Sequence, residues 1–115
     1  MTENLGRHTG YIQLMLNAAN QAINYIDGMT KDDFLADPKT QDAVIMKLLV
    51  IGELASQMLE EHAEIASVYP RIPWSQMKGM RNRMAHGYFE RDLDVIWETV
   101  QTSVPELASN LKQIS

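Results

Sequence analysis

The sequence contains no cysteine and no long hydrophobic run. Without cysteine, a disulfide framework and a thiolate metal site are both excluded. No apolar stretch reaches the roughly 18 residues that a membrane span requires. The first ten residues, MTENLGRHTG, also lack the apolar centre of a signal peptide. These features lead us to expect a cytoplasmic protein.

Common catalytic and metal-binding motifs are also missing from the chain. It has neither a glycine-rich phosphate loop nor an HExxH motif. The histidines at positions 8, 62 and 86 do not have the spacing of metal ligands. Most of the eight methionines lie on apolar helix stripes, where they serve as core filler. We therefore expect no metal and no cofactor.

Charge is distributed unevenly along this acidic chain, whose net charge is −5. The segment 71–91 holds five of the ten basic residues and one of the fifteen acids, which gives it a local charge of +4. The remaining residues sum to −9. This distribution excludes a protein that coats nucleic acid with its whole surface. The basic segment either holds a phosphate locally or forms a solvated helix face.

The apolar residues recur at helical spacing almost throughout the 115 residues. The pattern predicts a long first helix that ends near Gly28, and a short helix that Thr30 caps. It predicts a third helix from Asp37-Pro38 to about His62, a fourth from Trp74 to Gly87, and a last helix that Asp92 caps and Pro105 kinks. We therefore predict an all-α fold: a single domain, residues 1–115, forming an antiparallel bundle of four to five helices.

The apolar stripes of the first and third predicted helices are wide for so short a chain. Either a second chain shares their burial, or the bundle is a self-sufficient monomer. Composition alone leaves both arrangements open.

The segment RNRMAHGY, residues 81–88, concentrates groups that can act on RNA. Arg81 supplies a planar cation that fits phosphate oxygens, and His86 supplies a proton donor or acceptor. On an ideal helix these two residues lie about 140° apart. The length of the arginine and a departure of the chain from the helix at Gly87 would bring them together. The alternative is an ordinary helix end, where basic residues favour the macrodipole.

This segment, read as Arg81-Asn82-x-x-x-His86-x-Tyr88, resembles the RNxxxHxY signature of the HepT-like toxins of the HEPN superfamily. The resemblance extends to residues 33–55, 72–89 and 92–107, and overall from about Tyr11 to Leu111. The flanking "IPW", "GM" and "F" make the match specific, and the motif itself shows no departure from the signature.

The resemblance implies an all-helical, HEPN-type homodimer whose two motifs meet across the dimer interface. It implies a metal-independent ribonuclease that acts as a toxin, with Arg81 and His86 as the catalytic pair and Asn82 as a supporting polar residue. It also implies a partner, a MntA-like nucleotidyltransferase antitoxin that transfers AMP from ATP onto Tyr88. The alternative is a non-catalytic HEPN module that binds a nucleotide or the transferase.

Further residues have two interpretations each. Glu53, at the edge of the third helix's apolar stripe, either orients Arg81 or His86 or is a plain solvent-edge acid. Lys78, Arg83 and Arg91 would guide RNA, although Arg83 could instead pair with an acid. Trp74 and Trp97 either stack on bases or belong to the core.

Overall fold

The computed structural model describes residues 2–87 and 92–114, and within these residues the chain is an all-helical bundle without a strand. Its elements are α1 (Thr2–Tyr25), α2 (Lys31–Leu35), α3 (Pro38–Glu61), α4 (Ala63–Val68), α5 (Trp74–His86), α6 (Leu93–Glu98), a π-helical turn (Thr99–Ser103) and α7 (Val104–Ile114). The last three form one interrupted C-terminal helix. The predicted fold class is confirmed.

The core lies where α3 packs against α1 on one side and α5 on the other, while α7 covers α1. It consists of aliphatic side chains, methionines and aromatic rings, and its fully buried residues include Met15, Phe34, Val44, Met58 and Leu111. The Tyr11 hydroxyl, from the first half of α1, donates to the carboxylate of Glu61, the last residue of α3. These two helices therefore run antiparallel.

The predicted helix starts and stops are found where local chemistry specifies them. Gly28 follows α1 with a left-handed φ of 77°, which glycine adopts without strain. Thr30 and Asp33 form a capping box at the start of α2. The carboxylates of Asp37 and Asp92 accept backbone N–H donors at the starts of α3 and α6. These four boundaries, the end of α1 and the starts of α2, α3 and α6, are therefore encoded by nearby residues in the sequence.

Between α3 and α5 the structure adds a short helix, α4, that the sequence pattern did not predict. Its six residues are too few to show a helical period, and its first residue follows His62, whose side chain makes no capping bond. A tertiary contact stabilises it: the indole N–H of Trp74 donates to the carbonyl oxygens of Ala66 and Tyr69, at 3.0 and 3.3 Å. Trp74 thereby anchors the turn from residue 69 to Pro73.

The deviation expected near Pro105 takes the form of a π-helical turn. The N–H of Val104 donates to the carbonyl of Thr99, five residues earlier. Proline lacks an N–H and its ring clashes with the carbonyl four residues before it, so a regular α-turn cannot form at this place. The wider turn accommodates Pro105 without ending the helix.

Among the described residues, no helix is both long enough and apolar enough to cross a membrane.

Candidate functional site

Helix α5 carries the Arg81, Asn82 and His86 motif on two different faces. Asn82 and His86 are exposed, whereas Arg81 is partly buried, with 28% of its side-chain surface accessible. His86 is the last residue of α5, and the N–H of Gly87 still donates to the carbonyl of Arg83 at 2.8 Å. The helix therefore keeps Arg81 and His86 on separate faces, about 140° apart.

The expectation that a departure of the chain at Gly87 frees His86 from the helical register is wrong. Gly87 ends α5, as predicted, but its φ is −114°, an ordinary backbone value, and His86 keeps the helical register. The Gly87 N–H and the Arg83 carbonyl complete a normal last turn, which is why no earlier departure occurs. Consequently one chain does not bring the two side chains to a common point.

Arg81 faces α3, and the two helices approach each other closely at Gly52. A Cβ atom on Gly52 would lie 2.8 Å from the carbonyl oxygen of Met77 and 3.1 Å from Cγ of Arg81, and closer still to Cβ of Arg81. Only glycine leaves room for this approach. The aliphatic stem of Arg81 thus lies directly on the backbone of α3.

The charged end of Arg81 is near Glu53, the residue after Gly52. Its Nη1 lies 3.7 Å from Oε2 of Glu53, which has 54% of its side chain accessible. Such a solvent-screened pair contributes roughly 0–1 kcal/mol. The structure therefore brings together the two residues of the predicted Glu53–Arg81 interaction. Within the described part of the chain, Glu53 forms no ion pair with His86.

The Nε–H of Arg81 is buried and has no hydrogen-bond partner among the described residues. A buried donor left unpaired costs about 1–3 kcal/mol relative to a solvated one. Because this donor forms no hydrogen bond, the position of Arg81 depends on its packing against α3. Unsatisfied buried groups of this kind call for a functional or structural explanation.

The other predicted RNA-binding cations flank the exposed face of α5. Lys78 is half-buried, and Arg83 is exposed, with its guanidinium beside Gly79: its Nη1 would lie 3.5 Å from a Cβ there. Arg83 forms no ion pair within the described part of the chain. The cations therefore remain available to a phosphate on this face. Tyr88 and Arg91 lie outside the described residues.

Both tryptophans belong to the core, so the base-stacking interpretation of them is wrong. Trp74 is 6% exposed and Trp97 is 8% exposed. The Trp97 ring lies against the fully buried Phe34, with ring centroids 5.4 Å apart. Neither indole face is open to a nucleobase.

The fold also gathers a cluster that sequence spacing missed. His8 on α1 and His62 at the end of α3 have ring centroids 5.7 Å apart, and Tyr11 is 6.0 Å from His62. Because His62 is distant in sequence from both His8 and Tyr11, no local signal joins it to them. Within residues 2–87 and 92–114, no group of three or more histidines and carboxylates is arranged to hold a metal.

These features together describe a small all-helical bundle. Its basic helix α5 carries the Arg-Asn…His motif and packs on Gly52 of the long helix α3. The family model described as "Ribonuclease HepT-like" matches residues 15–114. The chain belongs to the HepT-like family.

Three relatives illustrate the match. A putative RNase of Caldanaerobacter subterraneus subsp. tengcongensis is 32% identical over 104 residues, covering 90% of each chain. A putative RNase of Methanocaldococcus jannaschii is 35% identical over 100 residues, covering 87% of this chain and 80% of the relative. A probable ribonuclease HepT of Thermococcus cleftensis is 36% identical over 98 residues, covering 82% and 86%. No solved structure matches the chain closely enough to count as a relative.

Proposed function

We propose that this protein is a ribonuclease toxin that cleaves RNA without a metal ion. The main support for the proposal is the position of Arg81. Its stem is packed on α3, and its guanidinium reaches the surface beside Glu53. Membership of the HepT-like family also supports the proposal, as do the relatives whose names describe them as ribonucleases. The proposed substrate is RNA, as in the ribonucleases after which the family and these relatives are named.

The reaction requires two proton transfers and one stabilised phosphorane. A base removes the proton from the 2′-hydroxyl, and the 2′ oxygen attacks the adjacent phosphorus. The bond from phosphorus to the 5′ oxygen breaks, and an acid protonates that leaving oxygen. His86 performs proton transfer, and Arg81 stabilises the charge on the phosphoryl oxygens through its planar donor fork. Asn82 supplies a further amide donor on the exposed face of α5.

A homodimer explains how the two faces of α5 serve one reaction. In a single chain Arg81 and His86 are about 140° apart around the helix. Two copies related by a twofold axis would present both faces to one phosphate, with one His86 as base and the other as acid. Two Arg81 side chains would then clamp the same phosphate, with Lys78 and Arg83 guiding the flanking RNA.

The proposed control of this toxin is covalent. A MntA-like nucleotidyltransferase antitoxin transfers AMP to Tyr88: the phenolic oxygen attacks the α-phosphorus of ATP, and pyrophosphate leaves. The added phosphodiester is anionic and competes for Arg81, while the nucleoside obstructs the RNA. Glu53 in this scheme orients Arg81 until RNA binds.

The test is cleavage of a labelled RNA in the presence of EDTA. We expect products that end in a 2′,3′-cyclic phosphate. Arg81→Ala and His86→Ala should each reduce the rate by at least about 100-fold, because each removes a transition-state contact or a proton transfer. Arg71→Ala is the control, since Arg71 is an exposed arginine outside α5.

The main alternative is a non-catalytic module that binds a nucleotide or its transferase partner. In that case purified protein would leave RNA intact, and Arg81→Ala would weaken binding of the nucleotide or of the transferase. Cleavage that depends on added Mg²⁺, or that both substitutions leave unchanged, would contradict the proposed mechanism.

A further inference from the structure

Gly52 lies in the middle of α3, where glycine is an unfavourable choice. A glycine inside a helix destabilises it by increasing the entropy lost on folding. Here the glycine is buried, and a Cβ on it would collide with Cβ of Arg81 and approach the Met77 carbonyl to 2.8 Å. The glycine is therefore explained by the contact with α5, not by the local structure of α3.

Gly10 provides the contrast within the same chain. It also lies inside a 24-residue helix, α1, but a Cβ on it would meet no atom within 4 Å. Gly10 can accept a methyl group without any movement of its neighbours. The steric requirement at Gly52 is thus a property of the site where Arg81 crosses α3.

Hydrogen bonds do not determine the position of Arg81 among the described residues. Its Nε–H is buried and unpaired, and its ion pair with Glu53, at 3.7 Å, is longer than a charge-assisted hydrogen bond of about 2.7–2.9 Å. The packing of the Arg81 stem against Gly52, in contrast, leaves no room for even one additional carbon atom. Because a Cβ there would strike backbone atoms and the Cβ of Arg81, no rotation of the arginine side chain could relieve it.

We propose that Gly52 is the positioning residue for Arg81: it sets the depth at which α5 packs on α3 and so the place where the guanidinium emerges. The ion pair with Glu53 has a smaller effect, which is to orient the guanidinium. The inference rests on the proposed function, since it concerns the presentation of Arg81 to an RNA phosphate. A misplacement of about 1 Å in such a contact costs about 100-fold in rate.

The first test is Gly52→Ala, with Gly10→Ala as the matched control. In Gly52→Ala we expect kcat for RNA cleavage to fall by about 10- to 100-fold while KM changes by less than about 3-fold, because positioning acts on the transition state. In Gly10→Ala both constants should remain those of the unmodified chain. A folded Gly52→Ala protein with normal kcat would overturn the proposal.

A second readout does not depend on cleavage. In protein labelled with ¹⁵N-arginine, the Nε–H of Arg81, assigned by its loss in Arg81→Lys, should exchange with solvent more slowly than that of the exposed Arg71. Gly52→Ala should abolish this difference in a protein that is still helical. If the unmodified chain cleaves no RNA, the proposed function fails, but this measurement still decides the role of Gly52.

Glu53→Gln keeps the test decisive if Gly52→Ala does not fold. Because packing at Gly52 holds the arginine stem, slow exchange of the Arg81 Nε–H should persist in Glu53→Gln, and kcat should fall by less than about 10-fold. Loss of the slow exchange in Glu53→Gln would mean that the ion pair holds the arginine. That result would overturn the proposal.

Discussion

Arg81 and His86 belong to one motif but have different surroundings. Arg81 is packed against α3 and has a buried, unpaired donor, whereas His86 is exposed at the end of α5. The motif therefore combines a residue positioned by packing with a residue free to approach another surface. This difference is invisible in the sequence, where the two are only five positions apart.

Tyr88 is the residue on which the proposed regulation can be tested directly. Incubation with the nucleotidyltransferase and Mg-ATP should add about 329 Da, or a multiple of it, to the chain, because each transferred AMP group adds this mass. Mass spectrometry detects the adduct. Tyr88→Phe should gain no mass, since it lacks the accepting oxygen. Tyr69→Phe is the control and should be modified as the unmodified chain is; an adduct retained in Tyr88→Phe would assign the modification to another residue.

Some single-residue features escaped the sequence pattern because they depend on distant partners. Gln41 is a buried polar residue whose side-chain amide donates to the carbonyls of Phe34 and Leu35, tying α2 to α3. A glutamine on an apolar stripe gives no sign of such a role. The resemblance to a known signature, in contrast, proposes Arg81 and His86 as the catalytic pair without any structural information.

The helix ends were predictable because their chemistry is local. Asp37, for example, precedes Pro38 in sequence, and in the structure its carboxylate accepts from both the hydroxyl and the backbone N–H of Thr40. Helix α4 was missed because it depends on the Trp74 hydrogen bonds, which no helical period records. The deviation predicted at Pro105 is present, and the structure adds its form, a π-turn.

The cap of α3 makes stability depend on pH. The hydrogen bond from the Thr40 hydroxyl, followed by that from its backbone N–H, lowers the pKa of Asp37 below its ordinary value of 3.8. A lowered carboxyl pKa stabilises the fold above the ordinary value, and this stabilisation is lost as the pH falls through the folded-state value. Asp37→Asn should therefore melt at a lower temperature than the unmodified chain at pH 7.

The difference between the two melting temperatures should begin to shrink as the pH falls below 3.8, and it should vanish below the lowered folded-state pKa, where the carboxyl group is protonated in both the folded and the unfolded chain. Thermal melts followed by circular dichroism at pH 7 and pH 3 give the comparison. Asp27→Asn is the control, because Asp27 is exposed beyond the end of α1. An equal difference at both pH values would show that the charge of Asp37 is not involved.

The whole molecule is an elongated bundle of 48 × 29 × 21 Å, with two 24-residue helices at its centre. Tertiary packing places Arg81 over Gly52 and beside Glu53, and leaves His86 on another face. A single chain thus presents the two groups of the proposed site on separate faces. In the proposed homodimer, the second chain would bring Arg81 and His86 side chains to the same phosphate.

A covalently linked dimer tests this division of roles. Two copies joined by a flexible linker, with His86→Ala in one copy, should lose at least about 10-fold in cleavage rate, because one of the two proton transfers lacks its histidine. The same linked protein with Arg71→Ala in one copy serves as control. Full activity with a single His86 would contradict the proposal that the two histidines act as acid and base.

The long helices, the caps at Thr30, Asp37 and Asp92, and the family could be read from the sequence, because helical period, capping residues and the Arg-Asn…His signature are all local in the chain. Helix α4 and the contacts of Gly52 with Arg81, of Glu53 with the Arg81 guanidinium and of His8 with His62 depend on the tertiary structure. These pairs are far apart in sequence, and close packing of helices depends on side-chain volumes at the crossing point. In our proposal the absence of a Cβ atom at Gly52 sets the position of Arg81. The apolar pattern of α3 in the sequence does not reveal this role of Gly52.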